Sequence, residues 1–278
     1  MQFRTSSGFT PIYIAITAVL SCCPSVVAQS RQSNVTEIIR KSVEANQRDF
    51  QAEPYYNNKE RDKVGTATKT YQITMIAGTP YQRLIEVNGK PLTNARNEQE
   101  LKKQQQVTAQ RCAENEDQRK QRIGKYNSER TRDNDMISQL TKAFNFQLIG
   151  TRKVRGFNVW LLKATPRPGY RPPNRNAEVL PGMNGELWID QKTYQWIRVT
   201  AHVIRPVSIE GFLAQVEPGT RFEMEKAPVG NGVWQISHFV EKAQAKVLYV
   251  FNHNSAQDST YFDYQRIDNP DQNGCSSK

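Results

Sequence analysis

Residues 185–190 read Gly-Glu-Leu-Trp-Ile-Asp, and after Gln191-Lys192-Thr193 the chain resumes Tyr-Gln-Trp-Ile-Arg-Val over 194–199. Leu187 and Ile189 flank Trp188; beyond the turn, Ile197, Val199, Ala201 and Val203 alternate with Trp196, Arg198, Thr200 and His202. A period of two on both sides of a short polar turn predicts an antiparallel hairpin with one apolar face. Everything downstream repeats the theme. Thr220–Lys226, Val233–Glu241, Gln244–His253 and Ser259–Ile267 are strand candidates, with Gly230-Asn231-Gly232 as one of the turns between them.

Upstream the pattern is the same as far as Phe146. Phe146–Arg152 and Phe157–Ala164 read as strands, while Pro166–Pro181 holds too many prolines for a ladder and reads as a loop. Thr68–Ala77 and Tyr81–Val87 read as a further pair around Gly78-Thr79-Pro80, and Asn88-Gly89 is a strong hairpin turn. Two other segments differ. Ser33–Phe50 carries Val35, Ile38, Ile39, Ser42 and Val43 at helical spacing, which predicts an amphipathic helix with a narrow apolar stripe. Residues 94–132 hold ten basic against six acidic side chains and few apolar ones, which predicts a solvated helix, a helical hairpin or a partly mobile insertion, with Gly124 as its break. Asp133–Phe144 then resumes a short amphipathic helix through Met136, Ile137, Leu140 and Phe144.

The fold class that follows is mainly β, an α+β arrangement in which helices cover the concave face of one curved antiparallel sheet. No linker divides it, so residues 29–278 read as a single domain. Residues 1–28 read as a signal peptide: Arg4, an apolar run over Ile12–Leu20, then Val26 and Ala28 at the cleavage positions before Gln29. That run is too short to span a bilayer. The alternative uses Leu20-Ser21-Cys22 as a lipobox, which would leave a lipoprotein tethered through Cys22. Export permits a disulfide, and whether Cys112 and Cys275 form one is not fixed by their positions in the chain.

The 278 residues carry a formal charge of +11 with a mean hydropathy of −0.72, which describes a soluble, globular, basic chain. Acidic residues interleave with the basic ones over 94–132, and export argues against nucleic acid as the partner. His202, His238 and His253 fall on separate strand candidates. There is no zinc spacing, P-loop or nucleophile elbow, so neither a catalytic nor a metal set is expected, and no cofactor.

The order of leader, first helix, hairpin, inserted helices and long meander resembles the periplasmic lipoprotein-carrier superfamily, LolA/LolB-like and related to RseB. The stretches that carry the resemblance are Gly185–Asp190 with Tyr194–Val199, then Phe222-Glu223-Met224-Glu225 and Gly232-Val233-Trp234. It implies a LolA-like half-barrel whose hydrophobic cavity takes the acyl chains of lipoproteins or another amphiphilic lipid. It implies a non-enzymatic, periplasmic carrier working as a monomer. The alternative is an envelope sensor of the same fold that binds a protein partner, such as an envelope membrane protein.

For the cavity wall, alternation selects Tyr71, Ile73, Met75, Ile85, Val87, Leu187, Val199, Phe222, Met224, Trp234 and Ile236. Arg83 falls in phase with Tyr81, Ile85 and Val87, where a guanidinium needs partners. The superfamily is understood to use an early-strand arginine to hold its lid, so Arg83 is the candidate latch, reaching backbone carbonyls of a covering helix. Its other reading is snorkelling to the sheet edge.

Overall fold

The computed structural model describes residues 25–209, 214–247 and 251–275. Cys22 and most of the expected leader lie outside the described residues. The first helix, α1 (Ser25–Ala52), includes the expected cleavage point before Gln29. It buries Val35, Ile38, Ile39, Ser42, Ala45, Asn46 and Asp49. That is one stripe at spacings of three and four, apolar at first and polar at its end.

Three strands follow, β1 (Tyr56–Val64), β2 (Ala67–Ile76) and β3 (Thr79–Val87), with the two-residue β4 (Lys90–Pro91) closing the Asn88-Gly89 turn. Asn88 and Gly89 both have positive φ, 53° and 70°, as a tight hairpin of this kind requires. A helical hairpin comes next, α2 (Asn94–Cys112) and α3 (Glu116–Ala143). The rest is strand: β5 (Phe144–Val154), β6 (Phe157–Pro166), β7 (Met183–Asp190), β8 (Trp196–Val203), β9 (Val207–Ile209), β10 (Ala214–Val216), β11 (Arg221–Gly230), β12 (Val233–Val247) and β13 (Phe251–Arg266).

The strands form one open antiparallel sheet in the order β4-β3-β2-β1-β13-β12-β11-β8-β7-β6-β5, with the small β9–β10 hairpin hung on β12. The first strand therefore pairs with the last, Tyr56 opposite Arg266, and the sheet curves without closing into a barrel. Register shifts in β1–β13, β2–β3, β5–β6, β7–β8 and β11–β12 supply local bends. The inner face, the one α1 covers, holds Leu162, Leu187, Ile189 and Trp196 against Val35, Ile38 and Ile39 of the helix. A second cluster beside it gathers Phe144, Ala164, Leu180, Met183 and Val203.

Several elements depart from the sequence reading. β1 was not expected, because Tyr56–Val64 has almost no apolar residues; its place between β2 and β13 supplies the pairing that its own side chains do not announce. β12 runs unbroken to Val247, since Lys242 and Ala243 are no turn, and β13 begins at Phe251. α3 passes straight through Gly124, and the break falls instead at 113–115, where Asn115 caps α3 in a reciprocal box with Gln118. The loop at 167–182 is packed: Ala177 and Leu180 are buried, and Arg167 Nη2 donates to the Thr141 and Phe144 carbonyls at 3.0 and 3.1 Å.

The helical hairpin is also less solvated than its composition suggests. α2 packs on β3, and α3 packs on α1 and β5. Arg111 donates to the Ile76, Thr79 and Pro80 carbonyls, and Arg122 to Thr79 Oγ1, the Ala77 carbonyl and the Glu114 carboxylate. Two arginines thus grip the β2–β3 turn from above. The turn itself requires Gly78, whose φ is 93° and whose added Cβ would meet Ile123 Cδ1 and Asp271 Oδ1 at 2.8 Å. A disulfide between Cys112 and Cys275 ties the end of α2 to the C-terminal segment.

Candidate functional site

The apolar inner face and the way α1 is fixed to it form the candidate site. At its apolar end, α1 sets Val35, Ile38 and Ile39 on Leu162 of β6, Leu187 and Ile189 of β7, and Trp196 of β8, with Val199 and Met224 alongside. Ser42 and Ala45, both fully buried, are small enough to bring the helix close to the strands. Polar groups take over one turn later.

Asp49, with 3% of its surface exposed, accepts at Oδ2 from Lys226 Nζ (2.5 Å) and at Oδ1 from Gln195 Nε2 (3.2 Å) and the Trp234 amide (3.0 Å). Lys226 Nζ also donates to Asn46 Oδ1 at 2.9 Å, and Gln235 Nε2 to the Asp49 carbonyl at 3.3 Å. Burial pushes the Lys226 ammonium below its ordinary pKa, while the Asp49 carboxylate works against that shift. A charge pair this deep is stable only with its remaining donors and acceptors satisfied, and here the β7–β8 turn, β11 and β12 all contribute. It fixes the C-terminal half of α1 at one position on the sheet.

From the far side α3 braces the same helix. Asn134 Nδ2 donates to Gln47 Oε1 at 3.0 Å, and Arg130 donates to the Phe50 carbonyl and to Glu53 while lying over the Phe50 ring. The β1–β13 region is more polar. Glu60 accepts from Gln82 at 3.0 Å, and burial, aided by Asp62, raises its pKa above the usual carboxylate value. Ser259 donates to Asp62 at 2.6 Å. The outer face is an ionic lattice in which Trp188 lies between the Arg152 and Arg198 guanidiniums, and Arg198 pairs with Glu223 at 2.6 Å.

Of the residues that alternation selected, Leu187, Val199 and Met224 stand together under α1, and Phe222 packs against the neighbouring cluster. Trp234 packs with Val159 and Ile197, its ring 5.0 Å from Phe157. Met75 is buried on β2, and the Ile236 carbonyl accepts from Tyr264 Oη at 2.7 Å. Tyr71, Ile73, Ile85 and Val87 are partly exposed and stand on β2 and β3, outside the α1 seam. Trp196 and Ile197 exchange the faces expected of them, because the β7–β8 register shift pairs Ile189 with Trp196 and Trp188 with Arg198.

The β2–β3 register sets Arg83 opposite Gln72 and Leu84 opposite Tyr71. Arg83 therefore points to the side away from Tyr71. Its Nη1 reaches Asn97 Oδ1 of α2 at 3.2 Å, a side-chain rather than a backbone oxygen, and its buried Nε has no hydrogen-bond partner among the described residues.

Sequence reasoning missed the Asp49–Asn46–Lys226 cluster. Its signal was present: Phe222, Met224 and Lys226 share one phase of β11, and the α1 stripe extends through Asn46 and Asp49. A lysine in an apolar phase and an aspartate on an apolar stripe each need a partner, and here they meet.

No family model and no curated protein matches the chain. Among solved structures it is similar to a LolA superfamily protein from Nitrosomonas europaea, with 11% identity and a TM-score of 0.33, covering 85% of this chain and 94% of that one. It is similar to a putative outer membrane lipoprotein-sorting protein domain from Vibrio parahaemolyticus, with 12% identity and a TM-score of 0.28, covering 84% and 97%. It is also similar to the MucA/MucB complex structure of Pseudomonas aeruginosa, with 10% identity and a TM-score of 0.22, covering 79% and 92%. At such identities and scores these likenesses carry no inference about ligand or partner. Among the described residues no helix is long and apolar enough to cross a membrane, and no group of three His, Cys, Asp or Glu could hold a metal.

Proposed function

We propose that the protein is an exported, non-enzymatic, periplasmic carrier that binds an amphiphile, such as a lipoprotein acyl chain, on the inner face that α1 now covers. The observation that supports this is the construction of the cover. One helix lies on an apolar surface that spans β6, β7, β8 and β11, and its polar fixings are gathered at its C-terminal half. Burying Val35, Ile38 and Ile39 is worth about 1.5–3 kcal/mol each, or roughly 5–9 kcal/mol together. An acyl chain of roughly fourteen methylenes gains about 11 kcal/mol at ~0.8 kcal/mol each. The acyl chain's gain exceeds the helix's by about 2–6 kcal/mol, so the ligand can displace α1 while the helix covers much of the same surface once the ligand leaves. Asp49 and Lys226 would keep one end of α1 attached while its apolar end lifts, and Arg83, through Asn97, would hold α2 on the sheet edge.

A fluorescent long-chain fatty acid should bind wild-type protein saturably, one per chain, and Val199→Glu should weaken that binding at least tenfold by placing a carboxylate on the apolar face. Thr200→Glu, on the other side of β8, should bind as wild type does. Equal binding by all three proteins would remove the inner face as the site.

A second reading, a sensor domain that binds a protein partner, is favoured by the sheet edge. Among the described residues β5 pairs only with β6, and its Leu148 and Ile149 are 38% and 45% exposed. An edge of this kind accepts an added strand. Capture of an envelope protein by lipid-free material, lost when Ile149 becomes Lys, would support that reading over the first.

A further inference from the structure

Where α1 runs into β1, a depression of about 290 Å³ is lined by Arg48, Gln51, Ala52, Tyr55, Tyr56 and Arg266. Three elements build it. Arg48 and Gln51 come from the last turns of α1, Tyr55 from the connecting turn, and Arg266 from the end of β13, where it stands opposite Tyr56 in the ladder. The Ile267 amide donates to the Tyr55 carbonyl at 2.9 Å and fixes the rim. Buried Tyr56, edge-on to Tyr264 at 6.3 Å, is the floor, while Tyr55 is 41% exposed.

The charges here are uncompensated. Among the described residues neither the Arg48 nor the Arg266 guanidinium has a hydrogen-bond or ion-pair partner, and no carboxylate lines the depression. The acids near Arg48 are committed elsewhere: Glu44 to Arg40, Asp49 to Lys226, and Glu53 to Arg130. Single unpaired surface arginines are common. Two that line one depression from a helix and a strand, beside the Gln51 side-chain amide and the Tyr55 phenol, present donors that suit a tetrahedral oxyanion.

We infer that Arg48 and Arg266 form a binding site for a phosphate group, either inorganic phosphate or the phosphodiester of an anionic lipid headgroup, with Tyr55 packing against whatever carries it. The site lies outside the apolar inner face, and filling it does not require α1 to move, so it stands independently of the carrier reading. A bound phosphate joins α1 to β13 and adds a second tie beside the Asp49–Lys226 pair. Because the anion binds the folded chain, stability rises with its concentration.

Inorganic phosphate, compared with chloride at equal ionic strength, should raise the Tm of the wild-type protein saturably. Arg48→Gln/Arg266→Gln should melt with wild type in chloride, because both side chains are exposed, and should lose the phosphate-dependent rise. Arg48→Lys/Arg266→Lys, which keeps the charge and loses the forks, should need about tenfold more phosphate. Co-flotation with phosphatidylglycerol vesicles, absent with phosphatidylcholine vesicles and with the glutamine variant, would identify the headgroup as the source. Phosphate binding without flotation would identify the free ion. No saturable response in wild type, or the same response in wild type and the glutamine variant, would overturn the inference.

Discussion

Lys226→Met should lower the stability of the fold by about 3–5 kcal/mol, because it strands the Asp49 carboxylate in the interior. The two side chains are only 7% and 4% exposed, and Asp49 would keep just the Gln195 and Trp234 donors. At about 2–4 °C per kcal/mol for a chain of this size, Tm should fall by about 6–20 °C. Asp49→Leu combined with Lys226→Met removes both charges and should recover most of the loss, since an apolar pair of similar volume is often as stable as a buried ion pair. Urea unfolding of the wild type, both single variants and the double variant would measure the coupling. If the losses of the two single variants simply add in the double variant, Lys226 and Asp49 act independently and do not hold α1 as a pair.

Loss of the Cys112–Cys275 disulfide should be the other large effect. The bridge joins positions 163 residues apart, and closing a loop of that length restricts the unfolded chain by about 5 kcal/mol in the chain-entropy model, with about 2–5 kcal/mol the usual cost of removal. Cys112→Ser/Cys275→Ser should therefore melt well below the oxidised wild type and match the reduced wild type. The loss should begin locally. The C-terminal segment is otherwise held by Ala77 N to Asn273 O (2.9 Å), Gly78 N to Pro270 O (2.8 Å), Asn273 Nδ2 to the Met75 carbonyl and Arg119 to the Asp271 carbonyl, and the Ala77 and Gly78 amides should exchange first. A Tm insensitive to reductant would show that the segment docks without the covalent tie.

The parts of this fold that could be read in advance are those where one side of an element meets the core and the other meets water. β7 and β8 show it through Leu187, Ile189 and Val199, and α1 through Val35, Ile38 and Ile39. Where pairing rather than patterning makes the strand, the pattern is silent: β1 is polar from Asn57 to Lys63 and exists because β2 and β13 flank it. The docking of the helical hairpin leaves no apolar pattern for a related reason. Its attachment runs through Arg111 and Arg122 to backbone carbonyls, and a search for apolar stripes does not see guanidiniums used as anchors. A register shift hid the rest, since one extra residue near Ile197 exchanges faces that strict alternation assigns with assurance. At the site, the apolar wall under α1 was partly legible through Leu187, Val199 and Met224. The polar fixing of α1 was not found, because Asp49 and Lys226 are 177 residues apart in the chain and declare themselves only as a pair.

In the proposed carrier, α1 occupies the place an amphiphile would take. Amide hydrogen exchange across α1, with and without a saturating long-chain fatty acid, tests it most directly. Amides from Val35 to Val43 should lose protection when the fatty acid binds, while those of β7 and β8 keep theirs and those near Asp49 change little. Fatty acid bound at saturation with α1 equally or better protected along its length would place the ligand elsewhere and contradict the claim.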